Sequence, residues 1–277
     1  MRNISNNGIL HFTIAYIQTL LERVSAMSEY ELLYYTFHIL ILYIVFSAIL
    51  MIIRLGMNKS LALMSKPFTS SVVSDEKILI LGDSTAVGTG ALSPEDTIAG
   101  RMAKDHPHSQ IVNLATNGGR VVDILAQIAQ VKDQQFDMVI ISAGGNDVWH
   151  FTHISNLRKH LKQVLEETVS ISNHHVIFLL HNMIGDAPIF PAFLQWILKR
   201  RGALVNRSIQ EVANQVQVPV IELFTKDAQN PFLQYPDQVF ARDGIHPNSR
   251  GYEMWYNRMW REMVNNGFRS ENVHFEK

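Results

Sequence analysis

The 277-residue sequence predicts an α/β protein: a three-layer αβα sandwich around a five-stranded, mostly parallel sheet, preceded by an N-terminal transmembrane helix. Three observations carry that expectation. From Lys77 onward, apolar runs rich in Val and Ile recur; they alternate with longer amphipathic stretches; and one long run near the N-terminus carries no charge. Runs that are apolar throughout suit strands buried on both faces, as in a parallel sheet covered by helices.

Residues 1–31 form a first segment. Leu10, Ile14, Ile17, Leu21 and Val24 fall on one helical stripe with Glu22 and Arg23 on the other side, the pattern of an amphipathic helix at a membrane surface. Next comes "LLYYTFHILILYIVFSAILMII", 22 uncharged residues over 32–53. As a helix it is about 33 Å long, enough to cross a hydrocarbon core of about 30 Å. A buried helix of a soluble domain would rarely be apolar on every face for this length. The run is also too long and too far from Met1 for a cleavable signal peptide. It reads as a single membrane anchor. Arg54, Lys59 and Lys66 follow it, against Arg23 alone in the comparable stretch before it. That small bias puts the following domain on the cytoplasmic side, with the extracytoplasmic side as the alternative.

Residues 54–76, mixed and Ser-rich, read as a linker, and residues 77–265 as the folded domain, with 266–277 as a tail. The strand candidates are Lys77–Leu81, Gln110–Leu114, Met138–Ser142, Val176–His181 and Val218–Leu223. Helix candidates lie near Ser93–Asp105, Val121–Val131, Ile154–Ser172 and Phe193–Gln215, and a last helix follows Pro247, a residue suited to a first helical position. In such a sheet, ligands bind beyond the carboxyl ends of the strands.

Composition narrows the chemistry. The formal net charge is −1, so no basic face advertises nucleic acid. With no cysteine, thiol catalysis, disulfides and thiolate metal sites are excluded. The twelve histidines include no H-E-x-x-H, and His174-His175 reads as part of a polar bend, so no metal is expected.

The positions just after the strands are small or polar: Gly82-Asp83-Ser84, Asn117-Gly118-Gly119, Gly144-Gly145-Asn146-Asp147 and Asn182. The first, within "ILILGDSTAVGTGA", suits either a phosphate-cradling loop or a turn presenting a serine nucleophile. The phosphate reading fails on detail. A P-loop needs four residues between its glycines and a lysine after the second, whereas Gly82 and Gly88 enclose five and no lysine follows. A dinucleotide fingerprint would need a third glycine where Ser93 stands. A serine nucleophile needs a base and the base an orienting partner, and "DGIHP" supplies Asp243 and His246 three residues apart. Donors for a developing oxyanion are available from the Ser84 N–H, a glycine N–H in the second loop and the Asn146 amide. Asp83 and Asp147 read as turn-holding residues.

These motifs together resemble the SGNH (GDSL-type) hydrolase family, whose fold is flavodoxin-like. "GDSTAVG" at Gly82–Gly88, "GGND" at Gly144–Asp147 and "DGIHP" at Asp243–Pro247 match its first, third and last blocks in order. The resemblance implies Ser84 as nucleophile, His246 as general base and Asp243 as its orienting acid. It also implies an oxyanion hole from Ser84, Gly118 and Asn146, with Gly119 the alternative glycine, and no cofactor. It points to a membrane-anchored serine ester hydrolase acting on a small-molecule or lipid ester. An acyltransferase or O-deacetylase on lipid or carbohydrate, using the same triad, and a non-catalytic binding module are the alternatives. Asn182, Met183, Phe190 and Phe193, after the fourth strand, are candidates for an apolar acyl pocket.

Overall fold

The computed structural model describes residues 6–181, 184–224 and 229–265, in two compact units, residues 1–50 and 51–277. The predicted tail therefore lies outside the described residues. In the first unit, helix α1 (Asn6–Ser25) is followed by the start of helix α2 (Glu29–Met64). Ile14, Ile17, Leu21 and Val24 of the predicted stripe are exposed; the side chain of Leu10 lies outside the described ones. Ser28 opens α2 with a capping box: its N–H donates to Glu31 Oε2 at 2.9 Å and its Oγ accepts from the Glu31 N–H at 3.3 Å. None of the residues of α2 is buried, and the helix is long and apolar enough to cross a membrane.

Helix α2 runs eleven residues past Ile53, so 54–64 is helical where the sequence reads as linker. Leu, Met, Lys and Ala there are good helix formers and outweigh the single Gly56. Pro67, which cannot continue a helix, follows shortly after its end. The remaining connection is not free chain either. The Ser70 N–H donates to Ile111 O at 3.0 Å, and Ser70 Oγ accepts from the Ile111 N–H at 2.8 Å. These bonds cover the outer edge of strand β2 (Gln110–Asn113).

The second unit is the predicted three-layer sandwich. Strands β1 (Lys77–Gly82), β2, β3 (Phe136–Ser142), β4 (Ser172–Leu180) and β5 (Val220–Glu222) form one sheet, in the order β2-β1-β3-β4-β5, with every pair parallel. Along β1 and β3 nearly every residue is buried. Helices α4 (Ile98–Asp105) and α9 (Ser249–Asn265) pack together on one side, and α5 (Ile124–Ile128), α7 (Ile154–Ser170) and α8 (Ala192–Val216) on the other.

Four differences from the sequence reading have local causes. β4 starts at Ser172, taking in His174 and His175, which extend with exposed side chains beyond the helical layers. β5 is only three residues long because Pro219 has no N–H to pair. The predicted Ser93–Asp105 helix is broken at Thr97, whose side chain accepts from the Gly100 N–H at 3.1 Å and caps a fresh helix. Pro247 is not the first residue of the last helix; it pairs with Phe240 in an antiparallel bridge. Asn248 is the cap instead, accepting from Arg250 N–H at 2.9 Å and Gly251 N–H at 3.0 Å. Its amide also donates to Gln238 O and Phe240 O at 2.9 and 3.1 Å. Asn248→Ala should therefore lower unfolding free energy by about 1–2 kcal/mol and the melting temperature by several degrees. Thermal denaturation of the full chain checks this, and an unchanged midpoint would refute the capping role.

Candidate active site

In a sheet ordered 2-1-3-4-5, the crevice opens between the carboxyl ends of β1 and β3, where successive connections run to opposite faces. Ser84 and Asn146 emerge there. After Gly82 the chain turns into the one-turn helix α3 (Ser84–Val87). Asp83 caps it: Oδ1 accepts from the Thr85 N–H at 2.8 Å and from Thr85 Oγ1 at 2.7 Å. This Asx bond is the turn-holding role read from sequence. It fixes Ser84 at the helix N-terminus, with its own N–H absent from the backbone pairing of the turn.

Asp243 and His246 come together as their spacing requires. Asp243 Oδ1 accepts from the backbone N–H of Ile245 at 3.1 Å and of His246 at 3.2 Å, which closes the turn. Its Oδ2 lies 2.6 Å from His246 Nδ1, and His246 Nε2 lies 2.8 Å from Ser84 Oγ. Burial alone would raise the Asp243 carboxyl. The hydrogen bond and charge of the His246 ring, with the two backbone N–H groups, outweigh it and hold the acid below its ordinary value. An ionised carboxylate can only accept, so Nδ1 carries the hydrogen and Nε2 is left to accept from the serine hydroxyl.

The third loop contributes Asn146, in helix α6 (Gly145–Trp149). One Nδ2 hydrogen goes to Gly119 O at 2.9 Å, which leaves the second for the pocket. The Gly119 N–H is committed to Thr116 O at 3.2 Å. Gly118 (φ +76°) has open space where a Cβ would stand and lines the pocket beside Ser84 and Asn146. Of the two candidate glycines, Gly118 has the N–H available. Asp147 holds the loop from below, accepting from the Val121 N–H at 2.9 Å.

The pocket over Ser84 has a volume of about 110 Å³. A larger cavity of about 700 Å³ lies beside Gly88 and Gly90, shares no lining residue with it and contains none of Ser84, Asp243 and His246. Chemistry rather than size selects the smaller one.

A family model described as "GDSL-like Lipase/Acylhydrolase family" matches residues 80–254. The chain belongs to the GDSL-like lipase/acylhydrolase family. It is accordingly a carboxylic ester hydrolase. Solved structures with the same fold include the psychrotrophic esterase EstA from Pseudoalteromonas (16% identity, TM-score 0.54, covering 69% of this chain and 100% of that one). A member of the lipolytic G-D-S-L family from Veillonella parvula is also similar (18%, TM-score 0.51, 68% and 98%), as is the acetyl xylan esterase AlAXEase (20%, TM-score 0.51, 67% and 98%). No curated protein matches the sequence.

The acyl-pocket candidates of this GDSL-like hydrolase fare differently from Ser84, His246 and Asp243. Phe190 is buried and stacks on Trp149, centroids 5.1 Å apart, so it is core. Phe193 is exposed, and neither residue lines the pocket. Asn182 and Met183 lie outside the described residues. The pocket is lined instead by Ile184 and Ile245, and by Asn58 and Ala62 from α2, which the sequence reading missed. Also missed is a polar floor. Thr85 Oγ1 meets Ser142 Oγ at 3.0 Å and His181 Nε2 at 2.9 Å. The signal for it in the sequence was that a histidine, His181, follows the apolar run of β4 at once.

Burial lowers the His181 imidazole below its ordinary value of 6.5, against the pull of the Asp83 carboxylate. Folded His181 thus binds a proton less readily than unfolded His181, and the stability this contributes is lost as pH falls from about 6.5. The melting temperature should drop between pH 7 and 5, and drop less in His181→Gln. Equal drops in the two proteins would exclude His181 as the source.

Proposed function

We propose that the chain is a membrane-anchored serine ester hydrolase that works through an acyl-enzyme on Ser84. The observation that supports this most directly is the unbroken hydrogen-bonded line from Asp243 through His246 to Ser84. As Ser84 Oγ attacks the ester carbonyl, His246 Nε2 takes its proton, and Asp243 stabilises the imidazolium and fixes its tautomer. The carbonyl oxygen becomes an oxyanion met by the Ser84 N–H, the Gly118 N–H and the Asn146 amide. Collapse breaks the bond to the leaving oxygen, which receives the proton from His246. Water then enters, loses a proton to His246 and attacks the acyl carbon. The acid leaves and Ser84 recovers its hydrogen.

Ser84→Ala and His246→Ala should each lower p-nitrophenyl ester turnover by at least about 10³-fold with the fold intact, because nucleophile and base act as a unit. Asp243→Asn should cost less than Ser84→Ala. Asn146→Ala should lower kcat by about 10²–10³-fold with little change in KM, since its free hydrogen serves charge present only in the transition state. Wild-type turnover by folded Ser84→Ala would refute the mechanism.

The anchor reading takes 32–53 as the span, within α2, and 77–265 as the hydrolase domain. All of the apolar residues described in this run, from Leu32 to Ile53, are at least partly exposed in the folded chain, and bilayer would satisfy that surface. Arg54, Lys59 and Lys66 argue for the cytoplasmic side. The full chain should stay with membranes through alkaline carbonate washing. Replacing Ile44 and Leu50 together by arginine should release it, the charge at 44, near the centre of the span, costing about 2.5–3.5 kcal/mol and the one at 50 adding less. Release of the wild-type chain by carbonate would show that 32–53 does not span.

A further inference from the structure

The last turns of α2, part of the same compact unit as the sheet, run against the catalytic loops. Ala62 O is one of the final carbonyls of α2, which have no acceptor role inside the helix. The side chain of Asn117, the neighbour of Gly118, donates to it at 2.9 Å. Asn117 Oδ1 accepts from Thr89 Oγ1 at 2.6 Å, and the Thr89 carbonyl accepts from the buried Tyr252 hydroxyl at 2.8 Å. The helix end is thereby braced through the Gly118 loop to α9, the last helix. Two turns earlier, Arg54 donates to Pro188 O. Between these two fixings stands Asn58, half-buried and lining the pocket. Its carboxamide has no hydrogen-bond partner among the described residues.

The pocket volume of about 110 Å³ is below the roughly 150 Å³ of a protein cavity that takes one benzene ring. The two oxygens, carbonyl carbon and methyl of an acetyl ester fill such a space; a longer acyl chain must displace a wall. We propose that Asn58 and Ala62 close the acyl pocket, that Asn58 is a specificity-determining residue, and that the enzyme therefore takes esters of acetyl-sized acids. This rests on the serine-hydrolase reading and adds the acyl class. The rigid wall is Ala62, held by Asn117; Asn58 supplies a polar group that a long alkyl chain would bury without a partner, while a short ester leaves it hydrated.

The test compares p-nitrophenyl acetate, butyrate and octanoate on the full chain in detergent micelles, with fluorophosphonate labelling of Ser84 as an independent measure of a working nucleophile. Wild type should favour acetate over octanoate in kcat/KM by at least about tenfold. Asn58→Ala should raise the octanoate-to-acetate ratio by about tenfold, Asn58→Gln should lower it, and Ala62→Phe should cost butyrate more than acetate. The ratio does not depend on how much protein is folded. A wild-type preference for octanoate, or a ratio unmoved by both Asn58 variants while Ser84 labels and esters turn over, would overturn this inference alone. Neither labelling nor turnover in the wild type would overturn the hydrolase reading and this inference with it.

Discussion

The site depends on how closely β1 and β3 end together. At Gly82 the backbone has φ +139°, and a Cβ there would stand 2.0 Å from Ser142 O. With hydrogen in its place, the next residue keeps the ladder, Asp83 N–H donating to Ser142 O at 3.0 Å. On the other side of Gly82, the chain after β2 still donates Thr116 N–H to Gly82 O at 3.1 Å, and the buried Gln127 amide supplies the remaining partners. Its Oε1 accepts from the Gly82 N–H and its Nε2 donates to Gly82 O, both at 2.8 Å. The last peptide of β1 is thus satisfied on both flanks. That lets β1 and β3 release their chains side by side, so Ser84 and Asn146 face one crevice without any long loop to position them.

Below that crevice the protein separates its charges by environment. Asp147 and Asp243 are both buried carboxyls, yet they move in opposite directions. Desolvation dominates at Asp147 and raises it, against the Val121 N–H that lowers it. At Asp243 the His246 ring and two N–H groups win. The carboxyl bonded to the His246 ring is accordingly the one held ionised, whereas Asp147 ties two loops. His181, whose imidazole burial lowers, completes the floor beneath Ser84 through Thr85.

What the sequence made legible was local. Gly82-Asp83-Ser84, Gly144–Asp147 and Asp243–His246 each carry within a few residues the reason for their geometry: a positive-φ glycine, an Asx bond, a carboxylate closing its own turn. The sheet was legible because doubly buried strands must be apolar throughout. The unreadable parts are long-range. Phe190 could be pocket or core by composition, and only the Trp149 ring against it decides. Residues 54–64 looked like linker because they run without a break into 65–76, where Ser65, Ser70, Ser71, Ser74 and Pro67 lie. Yet 54–64 is helical, and it reaches the site because a carbonyl at 62 meets an amide at 117, a pairing with no signature in either segment.

One faint signal did exist. Arg54, Asn58 and Ala62 are spaced by four and lie on one helical stripe, between neighbours such as Leu55 and Leu63 that are exposed. A cation, an amide and a small residue in register are a poor design for a membrane-facing stripe but a good one for docking against protein: the guanidinium reaches a carbonyl, the methyl permits close approach and the amide meets a polar pocket. All three precede the matched region, residues 80–254. The pocket is thus walled by two different stretches of chain, the matched loops and the end of α2. On the proposal made for Asn58 and Ala62, the loops after β1 and β3 stay fixed by backbone geometry, while acyl preference changes through α2 without touching the Ser84, His246 and Asp243 line.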